Sequence, residues 1–523
     1  MGNQKRKGLF QRFLDIVELV GNKLPHPVTL FAILALLVLV VSAIVSSLGV
    51  SVEHPGKEGE IVEVKNLLNA EGIQYIFESM TDNFIGFAPL GVVLLTMLGI
   101  GLAERTGLIS ALLRGFVLSV PKRFITLGLV FAGIMSSVAS DAGYVVLPPL
   151  GALLFAAIGR HPLAGLAAAF AGVSGGFSAN LFLSGTDALL GELTIAGASI
   201  IDPAYADNMN IAMNYWFIIV STFVLTFIGA WVTERVVEPR LGEYKGDYRE
   251  KLEKLTATEK KGLVWSGIAL LIAGILVSLL VLPENAPMRG TGERPIIESP
   301  FMSSLVPIIA LLFFIPGYVY GKITKDIRND KDVAARLTDT MASMGMFIVL
   351  AFTAGQFVAY FNESNLGLVL GVYGAEFLNS INLDGIPLVL LFIAIAAFIN
   401  IFIGSASAKW AMMAPVFVPI MMNLGYSPEL TQMAYRIADS STNIISPLMT
   451  YFAIIIAFAQ KYDKKMGIGT LVSTMIPYSV FFLVGWTLML VIWMLLGTAP
   501  IELGPIEFGP IELGPNGPIL YNN

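Results

Sequence analysis

The sequence has no cysteine, so it forms no disulfide and does no thiolate chemistry. Its three histidines, His26, His54 and His161, do not cluster, which argues against a zinc site. Charge is scarce as well. Only 13% of the 523 residues are Asp, Glu, Lys or Arg, roughly half the share of an ordinary soluble protein. What takes their place is apolar: 55% hydrophobic residues and a mean hydropathy of +0.75. Several runs exceed about 18 residues, enough to cross ~30 Å of hydrocarbon. The alternating segments of a β-barrel are missing. The expected fold class is therefore an all-α polytopic membrane protein in a lipid bilayer. The net charge of -6 excludes little, because placement matters more than the sum, and nothing suggests a nucleic-acid partner. The N-terminal run MGNQKRKGLFQRFLDIVELVGNKL is basic and amphipathic. The apolar run after it is long enough to stay as a helix, unlike a cleaved signal.

Nine crossings are predicted, near 27–49, 85–103, 162–184, 213–234, 262–283, 303–321, 337–360, 429–460 and 469–497. Two more apolar regions, 124–159 and 385–424, are too long for one span. Each is interrupted by small and polar residues, SSVASDAG and GSASAKW, as in a re-entrant hairpin that turns near the midplane. The positive charges agree. On this topology 26 of the 32 Lys and Arg fall on one side: in the N-terminus, in 104–123, 234–261, 322–336 and 461–465, and at Arg160. Lys57, Lys65, Arg289 and Arg294 fall on the other, while Lys409 and Arg436 lie inside the membrane. The positive-inside rule then puts the N-terminus in the cytoplasm and the C-terminus outside.

An internal repeat relates 139–180 to 406–446. Pro148 matches Pro415 and Pro162 matches Pro428, and the polar breaks at Ser174 and Ser440 each fall 12 residues beyond the second proline. Each unit reads as crossing, short amphipathic piece, hairpin, broken crossing, crossing, and the two units start from opposite sides. Inverted repeats with discontinuous helices at the midplane are the mark of a secondary transporter. The expected organisation is a cytoplasmic N-terminus (1–26), scaffold helices with a first arm (27–123), and hairpin 1 with its broken helix (124–184). Scaffold helices with a second arm (185–384), hairpin 2 with its broken helix (385–460) and the last crossing (461–498) follow. The arms are the pieces 106–120 and 364–380. The tail, 499–523, is a low-complexity run of ELGP-like units too rich in proline and glycine for a packed element.

Lys409, in IGSASAKWAMMAP, is a charge in an apolar run, with the hydroxyls of Ser405 and Ser407 beside it. A mid-membrane lysine costs about 2.5–3.5 kcal/mol on insertion scales, so it needs a partner or water. The repeat places Asp141 one position from the matching site on hairpin 1. The two either pair or share an aqueous cavity, in a structural or a ligand-binding role. In AYRIADSSTNIISP, Arg436 and Asp439 are spaced to share a helix face. They make either an internal ion pair or a site in which Arg436 grips a carboxylate and Asp439 binds Na⁺ or a proton. Ser440 and Thr442 add hydroxyls there, and Pro447 removes a backbone donor. The first-unit break, AGVSGGFSAN, resembles a cation site built from backbone carbonyls around Gly175 with Ser174, Ser178 and Asn180. Asp187 is either a loop carboxylate or a functional one. Trp410 is a candidate for stacking on an aromatic ligand, and Asn400 needs a hydrogen-bond partner within hairpin 2. No cofactor is expected beyond a coupling ion, Na⁺ at the hairpin tips and helix breaks or H⁺ on Asp439 or Asp187.

These motifs resemble the AbgT family of p-aminobenzoyl-glutamate transporters over about residues 10–498. FIGSASAKWAMMAPVFVPI and GYSPELTQMAYRIADSSTNIISPLMTYF look like that family's second hairpin and broken helix. SGTDALL and WVTERVVEPRLG look like its first-half landmarks. The resemblance implies a homodimer whose protomers have nine crossings, two hairpins, a scaffold and a mobile transport core. It implies import of p-aminobenzoyl-glutamate or export of p-aminobenzoate and sulfonamide antimetabolites. It carries substrate-site roles onto Asp187, Asn400, Ser407, Trp410, Pro428, Arg436, Asp439 and Pro447. The rivals are a Na⁺-coupled dicarboxylate transporter, a channel, and a membrane-embedded enzyme. The last lacks support: Ser136, Ser140 and Ser407 have no membrane histidine to activate them, and only Asp141 and Asp439 offer an aspartate pair.

Overall fold

The structure, a computed structural model, describes residues 25–54, 59–139, 142–244, 254–291, 299–447, 449, 451–496, 502–503 and 506–507. The N-terminal amphipathic run and Asp141 lie outside the described residues. Nearly everything described is helix, as lipid demands of a backbone that must satisfy its own polar groups. In chain order the principal helices begin with α1 (Pro27–Ser47), α2 (Ala70–Ile85), α3 (Ala88–Arg105), α4 (Leu108–Ser119), α5 (Ile125–Met135) and α6 (Ala142–Ala157). Next come α7 (Pro162–Phe170), which runs into a π-turn at Ala171–Gly175, α8 (Gly185–Ala198), α9 (Tyr215–Val232), α10 (Ala257–Val281) and α11 (Leu305–Thr324). They continue with α12 (Asp330–Ser343), α13 (Gly345–Glu363), α14 (Leu366–Ser380), α15 (Gly385–Phe402), α16 (Ala406–Asn423), α17 (Pro428–Asn443), α18 (Phe452–Gln460) and α19 (Ile468–Leu496).

Among the described residues eight helices are long and apolar enough to cross a membrane, or up to nine if a bent pair is counted as one span. α15, the first arm of hairpin 2, is among those eight, whereas the two broken crossings are not, because each is made of two short helices. The outward sides of α10 and α19 are apolar, with Val264, Leu271, Leu276, Val484 and Leu488 all exposed. Such faces suit lipid.

The repeat appears as the same order of elements twice: arm α4, hairpin α5–α6, broken helix α7–α8, then α9; and arm α14, hairpin α15–α16, broken helix α17–α18, then α19. Both hairpins double back. The backbone N–H of Gly385, at the start of hairpin 2, donates to the Tyr426 hydroxyl at its end. Arg160, at the end of hairpin 1, donates to Thr126 at its start over 2.7 Å. A full crossing would hold such ends ~30 Å apart. Each hairpin packs on the first half of its own broken helix, and each returning arm lies against an amphipathic arm, α4 on α6 and α14 on α16. The close approach in hairpin 1 needs glycine. A Cβ on Gly133 would sit 2.8 Å from the Gly172 Cα.

The remaining helices pack around this bundle, α1 on α13 and α3 against both α11 and α8. A short β-hairpin, β1 (Ser51–Glu53) with β2 (Ile61–Glu63), tops the α13–α14 corner, where Lys65 meets Glu363 at 2.8 Å. Two boundaries differ from expectation. The first broken crossing does not stop near residue 184. It turns at 176–184 and continues as α8, because Asn180 Oδ1 takes the amides of Leu181 and Phe182 and Ser184 starts a new helix. The span expected at 337–360 begins later, at Gly345, after the separate and more polar α12. In the tail, Glu502–Leu503 pairs antiparallel with Ile506–Glu507.

A buried four-charge site where the repeats meet

The first half of the second broken helix, α17, is the most polar buried helix of the fold. Pro428 occupies its first turn, capped by Ser427, and every residue from Pro428 to Asn443 is buried. Two charges on it reach different partners. Arg436 Nη2 lies 2.7 Å from Asp187 Oδ1 and donates to the Ser178 carbonyl at 3.3 Å. Asp439 Oδ1 lies 2.5 Å from Lys409 Nζ. All four side chains are at most 3% exposed. Arg436 and Asp439, expected to share a face, are therefore not paired with each other. Arg436 reaches back to the first unit and Asp439 across to hairpin 2.

Lys409 is paired with Asp439 in this structure, and its ammonium has no further hydrogen-bond partner among the described residues. The expected pairing with Asp141 falls on a residue outside those described. Asp187 is not a loop carboxylate. It sits in the first turn of α8, where its Oδ2 accepts from the Ser184 N–H and the Ser184 hydroxyl, each at 2.7 Å. A carboxylate at a helix N-terminus also meets the positive end of the helix dipole.

The rest of the expected constellation gathers here. Asn400 Nδ2 donates to the Asp439 carbonyl at 2.6 Å and to Thr442 Oγ1 at 2.7 Å, so hairpin 2 is stitched to the break in α17–α18. Ser440 Oγ accepts from the Ser178 N–H at 3.1 Å, which ties the two breaks together. Ser405 caps α16 and lies 3.3 Å from Ser407. Pro447 is half-buried within the second break. Three buried oxygens near this crossing, Ser178 Oγ, Asn400 Oδ1 and Ser441 Oγ, have no hydrogen-bond partner among the described residues. Orphaned buried acceptors of this kind call for a ligand or water.

Other expectations change. Asn180 is not an open cation ligand. Its carbonyl oxygen caps two backbone amides and its Nδ2 donates to Ser137 at 2.9 Å. Ser174 donates to the Met449 sulfur at 3.3 Å, and Gly175 closes the π-turn. Trp410 is sealed. One face stacks on Tyr435 at 4.5 Å between centroids, and its indole N–H donates to Thr194 at 2.9 Å. Tyr435 also donates to the Ala406 carbonyl at the hairpin tip, at 2.6 Å. Tyr435, Thr194 and Gln432, which no sequence motif singled out, hold Trp410 and the hairpin tip in place. The one signal for Thr194 was its place two helical turns beyond Asp187. No group of three or more His, Cys, Asp or Glu able to hold a metal occurs among the described residues.

Two units in the same order, each a hairpin wrapped on a broken helix, meet at four buried charges. That plan is a membrane transporter's. The AbgT putative transporter family matches residues 12–508, and the chain belongs to that family. The p-aminobenzoyl-glutamate transport protein of Escherichia coli (strain K12) is 40% identical over 481 residues, 92% of this chain and 94% of the relative. The YdaH transporter of Alcanivorax borkumensis, whose crystal structure has an unusual topology, is similar with a TM-score of 0.86 and 45% identity, covering 90% of this chain and 99% of that one. MtrF of Neisseria gonorrhoeae, described among antimetabolite efflux pumps, is similar with a TM-score of 0.87 and 47% identity, covering 92% and 97%. The chain is thus a multi-pass membrane transporter of small molecules and not an enzyme.

Proposed function

We propose that the chain is a secondary active, ion-coupled transporter of aromatic carboxylates of the p-aminobenzoyl-glutamate and p-aminobenzoate type. The observation that carries this reading is the pair of sealed ion contacts, Arg436–Asp187 and Lys409–Asp439. Each cation already holds a carboxylate. A substrate with two carboxylates, such as p-aminobenzoyl-glutamate, can replace both, Arg436 taking one through its planar fork and Lys409 the other, whereas p-aminobenzoate, with one carboxylate, would replace one of them. The displaced Asp187 and Asp439 are then buried charges without partners, and each is relieved by a proton or by Na⁺. Substrate binding is thereby linked to the coupling ion. The orphaned oxygens of Ser178, Asn400 and Ser441 support a Na⁺ site, while the two aspartates support H⁺.

The E. coli relative's name supports p-aminobenzoyl-glutamate as substrate, and the likeness to MtrF supports antimetabolite export as an alternative direction. A plain dicarboxylate is the second reading, favoured by Trp410, whose face is already covered by Tyr435. We place the protein in the bacterial inner membrane with a cytoplasmic N-terminus, on the charge asymmetry of its loops. The family resemblance favours a homodimer. The transport core would be the hairpins and broken helices, moving past the remaining helices as an elevator with α4 and α14 as its arms. Cross-links that lock α16 to α13 should stop transport, and transport that survives them would exclude the elevator.

The test is uptake of radiolabelled p-aminobenzoyl-glutamate, p-aminobenzoate and succinate into proteoliposomes, with a Na⁺ or a pH gradient imposed separately. Uptake of the aromatic compounds that follows one gradient and is lost in Arg436→Ala supports the reading. Uptake of succinate alone supports the dicarboxylate alternative, and single-channel currents would replace both with a channel.

A further inference from the structure

Thr194 lies on α8, away from the four charges, and no sequence motif marked it. It is fully buried, and its hydroxyl has every hydrogen-bonding position taken. It donates to the Leu190 carbonyl at 2.7 Å. It accepts the Trp410 indole N–H from hairpin 2 at 2.9 Å and a Gln432 amide N–H from α17 at 2.8 Å. Gln432 in turn accepts from Asn214, just before α9, at 2.8 Å, and Asn214 donates to the Glu429 carbonyl at 3.1 Å. One hydroxyl thus joins three elements that the chain supplies from both repeat units.

Those three elements carry the charges. Asp187 is on α8, Lys409 and Trp410 are on α16, and Arg436 and Asp439 are on α17. The Asp187–Arg436 contact reaches 2.7 Å only if α8 is held in register with α17. The first half of the fold has a counterpart. Tyr144, on the returning arm of hairpin 1, stacks on Tyr451 at 4.6 Å, immediately before α18. In both halves an aromatic on the returning arm meets the second half of the other unit's broken helix.

We propose that Thr194 is a positioning residue for transport: its hydroxyl sets the register of α8 against hairpin 2 and α17, and through it the spacing of the two ion pairs that a carboxylate substrate must enter. The inference rests on the placement of substrate at Arg436 and Lys409. Valine in place of Thr194 has nearly the same shape, but it leaves the Trp410 and Gln432 N–H groups buried without an acceptor. The expected cost in apparent affinity is about tenfold or more. Serine keeps the hydroxyl.

The experiment measures KM and Vmax for p-aminobenzoyl-glutamate in proteoliposomes, normalised to monodisperse protein, for Thr194→Val, Thr194→Ser, Arg436→Ala and wild type. The expected result is a raised KM for Thr194→Val with Vmax less affected, near wild-type KM for Thr194→Ser, and no uptake for Arg436→Ala. If Thr194→Val lowers only the yield of folded protein, and the folded fraction transports with wild-type KM, Thr194 is merely structural and the inference is overturned. If Thr194→Ser is as impaired as Thr194→Val, the hydroxyl is not the cause, and it is overturned again. If Arg436→Ala transports normally, the substrate site itself is misplaced, whatever Thr194 does, and both readings fall.

Discussion

Lys409 Nζ and Asp439 Oδ1 are 2.5 Å apart in a site closed to solvent, on two elements 30 residues apart in the chain. The contact joins the returning arm of hairpin 2 to the polar half of the broken helix. Neither partner has another opposite charge within ion-pair distance among the described residues.

Breaking that pair on one side should be far worse than removing it whole. Lys409→Met or Asp439→Asn alone leaves a buried charge uncompensated, at a cost of about 3–5 kcal/mol. The double variant should recover most of the lost thermal stability in detergent while still failing to transport. Single variants as stable as wild type would show that water or a third group already compensates the charge.

Arg436→Lys should behave as a non-conservative change. The ammonium keeps the charge but loses the planar guanidinium whose Nη2 meets both Asp187 and the Ser178 carbonyl. Uptake should fall about tenfold or more in protein that remains folded, measured in the proteoliposome assay against Arg436→Ala.

Hairpin 2 should be readable by labelling, since the absence of native cysteine makes every introduced thiol unique. Asp384→Cys and Leu424→Cys flank the hairpin at the end tied by Gly385 and Tyr426. Both should react with an impermeant maleimide from the same side of the membrane. Reaction from opposite sides would make α15 a full crossing.

Glycine at the hairpin 1 crossing should be indispensable. A Cβ on Gly172 would lie 2.5 Å from the Val130 carbonyl oxygen and 3.0 Å from the Gly133 Cα, both backbone. Gly172→Val should cost about 2 kcal/mol or more of stability, because backbone must move. Gly274→Ala, with nothing within 4 Å of the added carbon, is the matched control and should be tolerated.

Local sequence carried much of this. The apolar runs, the polar interruptions SSVASDAG and GSASAKW, and the spacing of prolines and polar breaks were enough for hairpins, broken helices and a repeat. Hydropathy and backbone punctuation act over a few residues and are written in order along the chain. The arms α4 and α14 and most helix boundaries were legible for the same reason. Lys409, Arg436 and Asp439 also stood out, because a charge inside an apolar run is costly wherever the chain folds.

Tertiary structure alone decided who pairs with whom. Arg436 meets Asp187 from the other unit, 249 residues away, and Lys409 meets Asp439 within its own unit. Helical spacing had suggested instead that Arg436 and Asp439 act together. It could not reveal that Trp410 is covered by Tyr435 or that Thr194 takes two N–H donors from different elements. Such contacts arise where helices distant in sequence cross, and their register is set by packing across the crossing. Composition and period determine which segments enter the membrane. The packing of the two units determines which of their few polar atoms become a site.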